Sequence, residues 1–418
     1  MTKKDISELK RRLKKEDCTF TRMCGCYVDG HKNMVVKFGE TFLNLEDEEF
    51  FRYLEITKKT LSGTVGNNLL QLDFADQEEE TGGKQQFMMG LKSSGLKNDD
   101  LLDRFYELII DTYDYVGNFL ILLFHDAYDV MTKTTDQAKL DESEEVYEYI
   151  LGAICPVSLS KPGLGYRKDE NRIGPRIRDW IVEAPETGFV FPAFSDRSSD
   201  IHSIIYYTKN AKEPHSEFME NGLGCIAKRT ATEQKEAFHG IIKSAFAGND
   251  EKSEHVLMEI QETINDMIEE KETDTPEDSA PVTLTTHAIQ DILVEKGIPE
   301  EISSKIEHEF TEEFGDVPPA AEALIDTKAL ALNAQKKKEK ELMMQVQTLR
   351  QELQETKTES EDTDSDSPDA DTYDVFLKVK PEKVEQIKAE IIDGKKCIII
   401  PLEEHEQAKV NGSVISSD

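Results

Sequence analysis

The sequence predicts an α+β protein: an antiparallel sheet flanked by helices, with a helical segment and a small C-terminal β-meander. Two observations predict it. The β-rich runs Trp180 to Ala184, Gly188 to Phe194 and Ile201 to Thr208 follow one another too closely for crossover helices, which leaves antiparallel pairing. Amphipathic helical patterns stand before and after this region instead of alternating with its strands.

In chain order, residues 3–15 read as a short helix with Ile6, Leu9 and Leu13 along one side. Its seven basic and two acidic residues make it a solvated surface helix or an anchor for an acidic partner. Thr19 to Val28 reads as a strand, Asp29-Gly30 marks a turn, and Met34 to Phe42 returns as a second strand. Glu46 to Leu61 opens with acids that suit a helix N-terminus. In Asn98 to Tyr115, Leu101, Leu102, Phe105, Leu108 and Ile109 trace a helical stripe. Asn118 to Val130 and Val146 to Val157 are two further β-rich runs bounded by turn residues.

Thr232 to Phe246 and Glu251 to Lys271 read as helices. Residues 250–280 hold twelve acids and two lysines and end in TDTPEDSAP, the signature of an exposed linker. The expected main α+β domain is therefore 1–275, followed by a helical hairpin at 282–318 and a long helix at 320–358. Leu342, Val346, Leu349 and Leu353 step by four, three and four along that helix, a short heptad seam. Residues 359–374 hold eight acids and no base, so a disordered acidic linker is expected over 359–372. Val375 to Val379, Ile387 to Ile392 and Cys397 to Pro401 read as a meander within 373–402, too small to stand without packing on another element.

Composition narrows the function classes. The chain has 418 residues and a formal net charge of −35, which counts against coating nucleic acid by charge alone. Its longest strongly apolar run, Phe119 to Phe124, is far short of the ~18 residues of a spanning helix. The first fifteen residues hold no apolar signal core, and six cysteines in a chain this long do not make a disulfide framework. The expected setting is the cytoplasm, with reduced thiols and no membrane contact.

Cys24 and Cys26 fall on one face of a strand with His31 after the turn, but a second ligand pair for zinc is lacking, so no metal or other cofactor is assigned. Cys155 and Ser195 would be nucleophiles only if a histidine such as His125 or His202 and a carboxylate converged on them. No catalytic residue is assigned, and a hydrolase or thiol enzyme ranks last. Lys161 to Arg178 stands out by charge: Lys161, Arg167, Lys168, Arg172, Arg176 and Arg178 face only Asp169 and Glu170, a local +4. Glycines 163, 165 and 174 allow close approach of a ligand to this loop. It is the candidate anion-binding surface, with Lys161, Arg167, Arg172, Arg176 and Arg178 as its contacts. Phe194 to Ser203 offers Asp196, Arg197, Asp200 and His202 as a candidate ligand loop, or simply as a polar turn between two strands.

The strings RMCGCYVDG (22–30), KTLSGTVGNNLLQLDF (59–74), ICPVSLSKPGLGY (154–166) and RIRDWIVEAPETGFVFPAFSDRSSDIHSIIYYTKN (176–210) carry a resemblance. They look like the hallmark strings of a family from Gram-positive anaerobic bacteria that is catalogued as a domain of unknown function, family 4317. The likeness covers residues 1–317 and resumes at 373–402, with 330–372 resembling an extension of the family pattern. It implies a cytoplasmic bacterial protein and no established activity. The order of elements is also similar to that of NdpA-type nucleoid-associated proteins, and no site residue carries over from them.

The expected function is a non-enzymatic binding or regulatory module whose partner is a protein or an anionic ligand. Association with nucleic acid through 161–178 is the alternative, and such binding is expected to be weak. The heptad seam is expected to support weak homodimerisation.

Overall fold

The structure, a computed structural model, describes residues 1–130, 145–247, 249–274, 282–315, 317–359, 386–392, 395–402, 408–410 and 413–415. The chain divides into two compact units, Met1–Gln335 and Lys336–Asp418.

The first unit opens with α1 (Lys3–Arg12), β1 (Arg22–Val28), β2 (Met34–Glu40), α2 (Asp47–Lys59) and β3 (Leu69–Asp73). α3 (Asp76–Glu79), α4 (Lys84–Ser93) and α5 (Asp99–Thr112) follow, then the long strands β4 (Asn118–Val130) and β5 (Glu145–Leu159). Seven short strands come next: β6 (Leu164–Arg167), β7 (Arg172–Pro175), β8 (Trp180–Val182), β9 (Thr187–Phe191), β10 (Ala193–Ser195), β11 (Ser198–Asp200) and β12 (Ser203–Thr208). The helices α6 (Ala231–Ala245), α7 (Asp250–Asp274), α8 (Thr286–Glu295), α9 (Glu300–Phe314) and α10 (Ala321–Leu324) complete the unit, and α11 (Thr327–Glu359) leads out of it.

The main sheet runs β2-β1-β4-β5-β9-β12-β3, with β8 paired to the end of β5. Its pairings are antiparallel throughout, as the crowding of the runs predicts. The protein is α+β. Helices cover both faces, which is why β4 reads as an almost unbroken apolar run: Phe119, Ile121 and Leu123 enter one core while Leu120, Leu122 and Phe124 enter the other. The first core takes α4 and α5 through Met88, Leu91, Phe105 and Ile109. The second takes α1 and α2 through Ile6, Leu9, Phe50 and Leu54. The N-terminal basic helix is thus docked by its apolar side, and Arg12 lies 3.8 Å above the Tyr128 ring.

Local chemistry sets the helix ends. Thr2 and Asp5 form a capping box on α1, and Thr230 with Glu233 forms another on α6. Asn98 accepts from the Leu101 amide at the start of α5. Asp47, Glu48 and Glu49 begin α2 while Lys58 and Lys59 end it, matching the helix dipole. α7 continues through the acid-rich stretch as far as Asp274 and buries Ile260, Ile264 and Ile268. α6 to α10 share this third core, with Phe238, Ile289 and Phe310 at its centre.

In the second unit, β13 (Lys388–Ile392) pairs antiparallel with β14 (Lys395–Ile399), and β15 (Ala408–Val410) with β16 (Ser413–Ile415). Residues 360–374 of the acidic run and the expected strand Val375 to Val379 lie outside the described residues. Among the described residues, no helix is long and apolar enough to cross a membrane.

Candidate functional site

The basic segment is a strand pair where the sequence suggests a loop. β6 and β7 form an antiparallel hairpin, with Leu164 opposite Pro175, Gly165 opposite Gly174, Tyr166 opposite Ile173 and Arg167 opposite Arg172. Asn171 supplies the left-handed turn residue at φ 46°, and Tyr166 Oη donates to its Oδ1 at 2.8 Å. At the base, the Ser160 amide donates to Asp179 O at 2.8 Å and the Arg176 amide to Gly163 O, also at 2.8 Å. The segment therefore leaves β5 as an arm and returns as β8.

Strand alternation gives the arm two unlike faces. Arg167 and Arg172 share a face with Gly165 and Gly174. An added Cβ on Gly174 would stand 3.4 Å from the Arg167 and Arg172 guanidinium nitrogens, and one on Gly165 would stand 3.8 Å from Arg176. The space over these two glycines is thus lined by this protein's own arginines, at ordinary contact distance, while at Gly163 the adjoining space is open. Glu170 bonds both Arg167, at 3.0 Å, and Arg172. Arg178 gives its Nε proton to Ser160 O at 2.7 Å, a neutral acceptor that leaves its charge unbalanced. Among the described residues no carboxylate pairs with Lys161, Lys168, Arg176 or Arg178. The structure brings Arg167, Arg172 and Arg176 together, with Lys161 and Arg178 at the base. The opposite face is apolar and open: Leu164 is 78% exposed, Tyr166 62% and Ile173 64%. Trp180 is exposed where the arm re-enters the sheet.

A family model described as Domain of unknown function (DUF4317) matches residues 1–413. The chain belongs to that family. The DUF4317 span includes residues 330–372, which the sequence strings leave as an extension, so the long helix falls within the family's span. No curated protein matches the chain.

A cleft of about 1040 Å³ lies between α2 and β8 in this DUF4317 protein, walled by Tyr53, Ile56, Leu120, Ile181, Val182 and Pro185. Its rim mixes four bases, Lys10, Arg52, Lys58 and Lys59, with the acids Glu48, Glu49, Glu55 and Glu183, which selects no charge.

The second candidate loop is a tight hairpin. Ser195 pairs with Ser198, and the two residues between them, Asp196 and Arg197, sit at φ 50° and 60°. Both are left-handed, as a two-residue turn matched to strand twist requires. Arg197 bonds Glu8 of α1 at 3.2 Å. Asp200 accepts from the His202 amide at 3.0 Å and from Gln71 at 3.3 Å. His202 Nδ1 meets Glu79 Oε1 at 2.9 Å, and that hydrogen bond raises the imidazole above its ordinary range. Arg197, Asp200 and His202 thus tie the loop to the surrounding fold, each to a different partner, and Asp196 serves as a turn residue.

The thiols are packed. Cys24 and Cys26 share a face, as their spacing requires, and both enter the first core. Burial pushes Cys26 up to about 11 and Cys155 up to about 12. Such thiols stay protonated and unreactive at neutral pH. Cys155 also misses His125. His125 pairs with Ile150 across β4 and β5, five residues away from Cys155, or roughly 16 Å at ~3.3 Å per residue. Five is odd, so the two side chains point to opposite faces. Among the described residues, no three His, Cys, Asp or Glu side chains gather as a metal site.

One constellation escaped the sequence. Thr21 Oγ1 lies 2.7 Å from His125 Nδ1, His125 Nε2 lies 3.1 Å from Glu148, and Lys92 reaches Glu148 at 3.0 Å. The line joins hydroxyl, imidazole and carboxylate, yet His125 is buried and does not line the cleft between α2 and β8. Only strand register could have revealed it, because Thr21 and His125 are far apart in the chain.

Proposed function

We propose that this protein is a non-enzymatic binding module and that the β6–β7 arm is its contact element for single-stranded nucleic acid. The observation that carries the reading is the arginine face. Arg167, Arg172 and Arg176 stand together on an exposed hairpin with Glu170 bonded to two of them, in a chain whose net charge is −35. Guanidinium forks match phosphate oxygens in a bidentate way. The exposed Trp180 ring, where the arm re-enters the sheet, suits stacking on an unpaired base. The acidic remainder of the chain repels a polyanion at long range, so binding is modest and rests on contacts within about one Debye length, ~8 Å. All six cysteines are free, which fits a reducing setting and a proposed site of action in the cytoplasm.

The test is fluorescence anisotropy with a labelled single-stranded oligonucleotide at low salt. Arg172→Ala/Arg176→Ala/Arg178→Ala weakens binding by at least about tenfold, because three phosphate contacts are lost. Equal binding by both proteins, or none by either, removes the arm as a nucleic-acid site. The open Leu164, Tyr166 and Ile173 face favours a second reading, a protein partner. Ile173→Ser separates the two: it removes apolar surface without changing the arm's charge, so it weakens capture of a protein partner and spares the oligonucleotide.

A further inference from the structure

We infer that α11 pairs with α11 of a second copy of this chain as a short, parallel, in-register coiled coil. Residues 336–350 of this helix are exposed on every side. Leu342 is 60% exposed, Val346 49% and Leu349 58%. An isolated helix in water is held by little beyond its own backbone bonds, and packing of an apolar stripe is the usual source of its stability. Here the stripe exists and the chain's described residues leave it open.

The pattern itself selects the occupant. With Leu342 at position d, Val346 falls at a, Leu349 at d and Leu353 at a. A heptad stripe is complementary to a second copy of itself, because each knob on one helix finds the equivalent hole on the other. Of the two a residues Val346 is β-branched, and both d residues are leucine; β-branched a with leucine at d favours two parallel strands. Charge selects the same arrangement. In this register Glu352 falls at g and Lys357 at e, five residues apart, the spacing at which g and e face each other across a parallel pair. An antiparallel pair would set e against e, and both Arg350 and Lys357 are basic. Two heptads make a weak seam, so the dimer forms and dissociates with concentration. A dimer also carries two β6–β7 arms, which raises the avidity of any ligand long enough to reach both. The pairing itself does not depend on what the arm binds.

Sedimentation velocity of the full chain tests this between about 1 and 200 µM. The weight-average mass rises toward twice the 47.5 kDa monomer over that range. Leu342→Glu/Leu349→Glu weakens the dimer by ~100-fold or more, since two seam layers are lost from each copy. Met344→Glu, at the outward f position, leaves it intact. A chain that stays monomeric throughout, or a double variant that sediments like wild type, overturns the seam. Orientation is read separately with Leu342→Cys on a Cys397→Ser background. Mild oxidation yields a covalent dimer if the helices run parallel and in register. A dimer that the charge pair disrupts but that never cross-links overturns the parallel arrangement.

Discussion

Gly152→Ala should destabilise this fold far more than Gly25→Ala, although both glycines sit in the same local geometry. Each lies in a central strand with a phenylalanine directly across the pair: Gly152 opposite Phe189 and Gly25 opposite Phe38. In both cases the ring lies over the missing side chain. A Cβ on Gly152 would come 2.2 Å from the Phe189 ring, and one on Gly25 would come 2.3 Å from the Phe38 ring. The difference is what the ring can do next. Phe189 is 1% exposed and locked edge-on against Phe105 at 5.7 Å, whereas Phe38 is only partly buried, at the margin of the second core on the edge strand β2, and can swing toward solvent. Overpacking a sealed core costs about 1–3 kcal/mol, while replacing glycine in a strand returns roughly 0.5–1 kcal/mol of backbone entropy. The expected net is ~1–2 kcal/mol lost for Gly152→Ala and within ~0.5 kcal/mol of zero for Gly25→Ala. Urea unfolding followed by circular dichroism reads both. With a slope of ~2–3 kcal/mol per molar, the Gly152 variant moves its midpoint down by about 0.5 M. Phe189→Leu should recover part of that loss in the double variant, because the two residues share one space. Equal midpoints for the two alanine variants, or strict additivity with Phe189→Leu, would refute the reasoning that ring burial decides the cost.

Two further outcomes follow from titrating groups. Cys397 is the most exposed of the six thiols, and the other five are buried, with Cys18 pushed by burial to about 11 and Cys225 to about 12. A thiol reagent at pH 8 should therefore label about one equivalent in the native protein and all six only in denaturant; rapid native labelling of more than one would contradict the packing. His202 is held above its ordinary range by Glu79, so its pair stabilises the fold when the ring is charged. That contribution is fully present below pH ~6.5 and is lost as pH rises through the raised folded value. The group is exposed, so the effect is small. His202→Gln should lower the urea midpoint slightly at pH 5.5 and leave it unchanged at pH 8.5, and a loss confined to pH 8.5 would reverse the sign.

Much of the architecture was readable from residue order. The long apolar strands, the α5 stripe and the crowding of the later strands give the antiparallel sheet directly, because each signal is local and strong. The omissions share a cause. β3 is five residues, LLQLD, behind a glycine- and asparagine-rich turn, too short for its alternation to register. α4 holds Gly90 within KQQFMMGLKS and draws its order from burying Met88 and Leu91 against the sheet. Gly188 to Phe194 reads as one run, yet Pro192 cannot donate to a ladder, and the strand breaks there into β9 and β10. The basic segment was visible by charge alone, whereas its two faces depend on the pairing of β6 with β7. Two strands of four residues with a glycine in each carry no strand signal of their own.

The salt dependence of oligonucleotide binding tests the arm most directly. Lys161 to Arg178 holds six bases and two acids, a net of four charges, and single-stranded binding loses affinity with a log–log slope of about −0.7 per phosphate neutralised. Wild type should show a slope near −2.8, a fall of about 50-fold between 50 and 200 mM salt. Arg172→Ala/Arg176→Ala/Arg178→Ala leaves a net of one charge and should show a slope near −0.7, a fall of about 3-fold over the same range. Two parallel lines would contradict the arm as the contact, and so would a wild-type slope near zero.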